Sequence, residues 1–93
     1  MIISTTGICE QYRVIDTVML FDQHRPGGMF GGGGFDFEQS FEATKLKLEQ
    51  KAEAMGGNAV IGCDFEIRIA VAGMGGSQVL EIFCFGTVVE ILS

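Results

Sequence analysis

The chain has 93 residues, 47% hydrophobic and 19% charged, with 12 acidic against 6 basic side chains and a formal net charge of -6. That length fits a single domain over residues 1–93, and a domain so small buries only roughly 60 to 65% of its unfolded surface, so association of copies would add burial. The acidic balance, spread along the chain, argues against nucleic acid and anionic membrane as partners, and no apolar run approaches the ~20 residues of a membrane span.

The start, Met1 to Thr6, lacks the basic and long apolar regions of a leader. Cys9, Cys63 and Cys84 are odd in number and unclustered, which fits a reducing compartment better than a disulfide framework. The expectation is a cytoplasmic protein.

Ile2 to Thr6 reads as a short first strand. Tyr12 to Phe21, rich in β-branched and large apolar residues, reads as a longer one. Residues 22–36 hold the only proline together with Gly27, Gly28 and Gly31 to Gly34, and are expected to form a mobile loop without regular structure. A helix follows. Asp36 is its candidate N-cap with Gln39 three residues on, and Phe41, Thr44, Leu48, Ala52 and Met55 make its apolar stripe. Gly56 supplies a left-handed stop, and Gly57-Asn58 turns the chain into a strand from about Ala59 to Val71.

Period-two alternation in that strand predicts a core face of Ile61, Cys63, Phe65, Ile67, Ile69 and Val71, against Gly62, Asp64, Glu66, Arg68 and Ala70. Gly73 to Gly76 predicts a hairpin turn into a last strand from about Gln78 to Leu92. The fold class is therefore α+β, a β-α-β-β order with an antiparallel sheet packed on one long helix.

The last strand carries apolar residues on both faces. Leu80, Ile82, Cys84 and Val88 lie on one, and Val79, Phe83, Phe85, Val89 and Ile91 on the other beside Glu81 and Thr87. One helix covers only one face of a sheet. Exposing Phe83 and Phe85 would forgo roughly 1.5 to 3 kcal/mol of burial for each. A subunit interface along this strand, by sheet packing or by edge pairing, accounts for them; a bulge that redirects part of the strand is the alternative.

Three groups of residues bear on chemistry. Cys63 and Cys84 are expected on one side of the sheet, directly opposite with Cβ atoms about 4.5 to 5.5 Å apart if the turn has two residues, and diagonal after a shift by two. As thiolates they would suit a soft metal such as Zn(II) or Cu(I), completed by Cys9, His24 or a neighbouring subunit; as core residues they would be small inert hydrophobes. His24-Arg25 sits in the glycine-rich stretch, where His24 could serve as a metal ligand or base, but no Lys-Ser/Thr follows the glycines and the phosphate-loop pattern fails. Asp64 and Glu66 share the polar strand face with Arg68, and a solvated face with a cross-strand ion pair to Glu81 explains them more simply than a cation site. No Ser, His and Asp set supports a hydrolase.

Thr5-Thr6, the run from Ala52 to Gly62 (AEAMGGNAVIG) and Gly86-Thr87-Val88-Val89 resemble the YbjQ-like family of small bacterial proteins, whose description is "putative heavy-metal-binding". The resemblance spans nearly the whole chain. It implies a dodecin-like subunit assembled as a ring, most often a homopentamer, and places the metal label on Cys63, Cys84 and His24, with Zn or Cu as the metal. The chain departs from the pattern with Gly57 where alanine is usual, Gln11 where glycine often precedes Tyr12, and the poly-glycine stretch. The expected function is a non-enzymatic oligomeric protein binding a heavy metal or small ligand. The alternatives are a ligand-free scaffold or interaction module, and an enzyme whose site joins His24 to carboxylates across subunits.

Overall fold

The computed structural model describes residues 1–25, 36–72 and 77–92. Residues 26–35 of the glycine-rich loop expected over 22–36, and the expected hairpin turn from Gly73 to Gly76, lie outside the described residues. The elements run β1 (Ile2–Ile3), β2 (Tyr12–His24), α1 (Phe37–Ala54), β3 (Ala59–Ala72) and β4 (Ser77–Ile91). No helix among the described residues is long and apolar enough to cross a membrane.

The helix begins where its cap predicts. Asp36 has extended backbone and its carboxylate accepts the Gln39 N–H at 2.9 Å, satisfying one of the orphan donors of the first turn. The buried stripe is Ser40, Thr44, Leu48 and Ala52, with Met55 as C-cap. Gly56 takes the left-handed conformation at φ +91. Gly57 then folds back so that its N–H donates to the Ala52 carbonyl at 3.0 Å. A Cβ there would collide with the Val88 side chain and lie 3.1 Å from the Val89 carbonyl, so the junction presses directly on β4.

The strands form one four-stranded sheet in the order β1-β3-β4-β2. It is mixed rather than antiparallel: β4 pairs antiparallel with β2 and β3, but β1 runs parallel to β3 through Ile2 opposite Ala59 and Ile3 opposite Val60. The parallel edge follows because the helix intervenes between β1 and β3, as a crossover connection requires. The second strand also runs three residues further than expected. Asp22, Gln23 and His24 continue its pairing, opposite Ile82, Glu81 and Leu80, and so do not belong to a loop.

A bulge corrects the predicted faces of β3. The register shifts between Ile61 and Asp64, and Gly62 takes φ +59 there, the signature of a glycine bulge. The extra residue reverses the alternation. Val60 and Cys63 both face the helix in the core with Val18, Leu48, Ala52, Cys84 and Val88, while Ile61 packs on the opposite side with Ala59 and Val89.

Ile67, Ile69 and Val71 depart further from expectation, being 47%, 52% and 69% exposed. The cause is length. An 18-residue helix spans about 27 Å, whereas β3, at 14 residues, spans roughly 46 Å. The helix lies over β2 through Thr44 and Lys47, both bonded to Asp22, and through Lys51, which donates to the Met19 carbonyl. The far corner of β3 is left uncovered.

Candidate functional site

On β2 the alternation that points Val18 and Leu20 at the helix also points Asp22 and His24 there. Asp22 is only 6% exposed. Its carboxylate accepts the Lys47 ammonium at 2.7 Å, the Thr44 hydroxyl at 2.8 Å and the His24 Nε2–H at 2.8 Å, and it also holds the Gln23 N–H at 3.1 Å. Burial alone would push this carboxyl up; the hydrogen bonds from Lys47 and Thr44 and the nearby His24 and Lys47 charges outweigh it, and the group lies below its ordinary value.

These bonds fix the imidazole. The Thr44 hydroxyl spends its single hydrogen on Asp22 or on the Ser40 carbonyl at 3.0 Å, so at 3.0 Å from His24 it is an acceptor, as ionised Asp22 is. Nε2 therefore carries the proton in neutral His24, and Nδ1 keeps its lone pair. His24 also lines a cavity of about 250 Å³ with Arg25, Asp36, Gln39, Ser40 and Ala43.

Cys63 and Cys84 lie in the same apolar core, on the same face as expected. They are diagonal rather than directly opposite, because Cys84 pairs with Phe65 and Cys63 falls in the bulge. Burial and then the Asp64 charge push the Cys63 thiol up. Burial, followed by Cys63 and Asp22, pushes Cys84 up to about 11. Alkylation with iodoacetamide at pH 7.5 should modify exposed Cys9 alone, giving one adduct by intact mass; unfolding should raise this to three, and three rapid adducts on the folded chain would contradict the burial.

The structure does not bring His24 to the cysteines. Leu20 faces Cys84 and His24 faces Leu80, so four residues of strand, roughly 13 Å, separate them. Among the described residues no group of three or more His, Cys, Asp or Glu side chains is placed to hold a metal ion. Sequence reading missed Asp22 and Thr44 as partners of His24, and Lys47 as a partner of Asp22. The available signal was Asp-x-His at strand spacing.

The face away from the helix carries a second feature. Met19 stands opposite Phe85 and Phe21 opposite Phe83, and the Phe21 and Phe83 rings lie 4.7 Å apart. Phe85 is 44% and Met19 68% exposed. Beside them Arg68 meets Glu81 at 2.6 Å, as the cross-strand ion pair requires, and sits 5.4 Å over the Phe83 ring; Gln23 also donates to Glu81 at 3.0 Å. Asp64 and Glu66 are exposed beyond this pair.

A family model, YbjQ_1, described as "putative heavy-metal-binding", matches residues 27–92. Among solved structures, a protein of unknown function of the DUF74 family from Pediococcus pentosaceus ATCC 25745 is similar at a TM-score of 0.76 and 26% identity, covering 99% of this chain and 98% of its own. No curated protein matches the chain.

Proposed function

The chain belongs to the YbjQ_1 family, and from that premise we propose that it is a non-enzymatic homo-oligomer of the cytoplasm that holds a heavy metal ion where subunits meet. The observation that carries the assembly is the apolar back face. Met19, Phe21, Phe83 and Phe85 form one block on the side of the sheet that no helix of the described residues covers, and contiguous exposed apolar surface of this kind marks a contact site. A dodecin-like ring of five copies, with Phe83 and Phe85 of the last strand at the junction, is the assembly the family likeness favours.

The donor chemistry separates the metal candidates. Cys63 and Cys84 do not fit a site within one chain, since both thiols are raised by burial in an apolar core and have no third donor beside them among the described residues. His24 fits. Its Nε2–H is held by a carboxylate, the outer-shell arrangement that orients metal-binding imidazoles, and Nδ1 is left to ligate. One imidazole is too few for Zn or Cu, so the remaining donors come from a neighbouring copy.

Metal content of tag-free protein after loading with Zn(II) and desalting tests this. The wild type should retain Zn(II), His24→Ala should lose at least tenfold, and the Cys63→Ala/Cys84→Ala pair should keep it. Retention by His24→Ala, or none by the wild type, would remove the site.

A further inference from the structure

The cavity beside His24 is bordered by more than an imidazole. Arg25 follows directly on the end of β2, and Asp36, Gln39, Ser40 and Ala43 come from the cap and first turns of α1, so a strand end and a helix start enclose about 250 Å³ between them. That is smaller than the roughly 300 to 1,000 Å³ of sites for drug-sized molecules. It suits a small ligand.

Ser40 gives the first sign of an occupant. The residue is 8% exposed, yet its hydroxyl has no protein partner among the described residues. A helical serine or threonine often bonds back to the carbonyl one turn earlier. Thr44 does so, reaching the Ser40 carbonyl at 3.0 Å, whereas the Asp36 carbonyl one turn before Ser40 accepts the Ser40 N–H, at 3.0 Å, and not the hydroxyl. Among the described residues no sealed side-chain oxygen or nitrogen lacks a partner, so this hydroxyl is open, and it opens on the cavity that Ser40 lines. A nearly buried hydroxyl with donor and acceptor both unspent calls for a polar guest.

The charges give the second sign. Arg25 and Asp36 both line the cavity but form no ion pair with each other or, among the described residues, with any other side chain. Asp36 spends one carboxylate oxygen on the Gln39 N–H and keeps the other open. A simple anion would meet the Asp36 charge there, and a simple cation the Arg25 charge. A molecule carrying both signs meets neither objection. We propose that this cavity binds a small zwitterion, an α-amino acid with a short side chain, whose carboxylate is taken by the Arg25 guanidinium and the Ser40 hydroxyl and whose ammonium is taken by the open Asp36 oxygen. The positive end of the helix dipole adds to the hold on the carboxylate. The site lies within one chain and leaves the His24 Nδ1 lone pair unused, so it is separate from the metal ligand proposed above.

Titration calorimetry of the metal-free wild type with L-alanine, acetate and methylammonium reads the site. L-Alanine should bind at least tenfold more tightly than either half alone. Ser40→Ala, a change that a helix accepts, should weaken it at least tenfold with native far-UV circular dichroism. The charge variants give a readout that a purely structural role would not move. Arg25→Gln should bind L-alanine no better than methylammonium, and Asp36→Asn, whose amide oxygen keeps the helix cap, no better than acetate. A wild type that binds L-alanine no more tightly than its two halves, or charge variants that bind it as the wild type does, would overturn the inference. A wild type that holds no Zn(II) yet binds L-alanine would sink the metal site and leave this one standing.

Discussion

Replacing Asp22 with alanine should cost about 3 kcal/mol of stability, the range for removing one partner from a buried charged network, and lower Tm by roughly 15 °C in a domain of this size. The carboxylate joins β2 to the helix by accepting from Lys47, Thr44 and His24 at once. Thr44 keeps the Ser40 carbonyl after the change, but His24 loses the closer and charged one of its two acceptors. The same residue sets an acid limit. Because Asp22 lies below its ordinary value of 3.8 when folded, its contribution is complete above that value and is lost as pH falls through the lowered one. Thermal unfolding between pH 2 and 7 should show the wild type losing stability at the acid end, with Asp22→Asn less stable at neutral pH and flatter below pH 4. A variant as stable as the wild type at pH 7 would contradict the role given to the cluster.

The second large effect is on assembly. Phe85→Glu places a carboxylate in the middle of the apolar block formed with Met19, Phe21 and Phe83. In the separate chain Phe85 is already 44% exposed, so the fold should survive, with unchanged far-UV circular dichroism. In the oligomer the charge would be desolvated without a partner, and aromatic residues at interface centres carry about 2 to 4 kcal/mol each. That corresponds to a dissociation constant roughly thirtyfold to a thousandfold weaker, read by sedimentation over a concentration series. Phe83→Ser should weaken assembly too, but it also removes the Phe21 contact and the ring beneath Arg68, so some monomer stability goes with it. Equal association by Phe85→Glu and wild type would place the interface elsewhere.

The helix was legible because every signal agreed: an Asp36 cap, a stripe at spacings of three and four, and Gly56 at the stop. The faces of β4 were legible by alternation alone, and with them the shared side of Cys63 and Cys84. Two features escaped. The bulge at Gly62 adds one residue to one strand, which periodicity counts as an ordinary step, and it moved Ile61 to the back face; the glycine inside a strand pattern was the only warning. The strand end at His24 was hidden because Asp22, Gln23 and His24 are polar and precede glycines, so a buried polar network looked like a loop. The exposure of Ile67, Ile69 and Val71 was available from arithmetic, since a helix rises less than half as far per residue as a strand. The proposed metal site rests on one oriented imidazole, that of His24 held by Asp22.

The proposed assembly is read out by the native mass spectrum of the tag-free wild type. One discrete assembly near five times the 10.0 kDa chain is expected, dispersed by Phe85→Glu. A spectrum of single chains across the concentration range would contradict it.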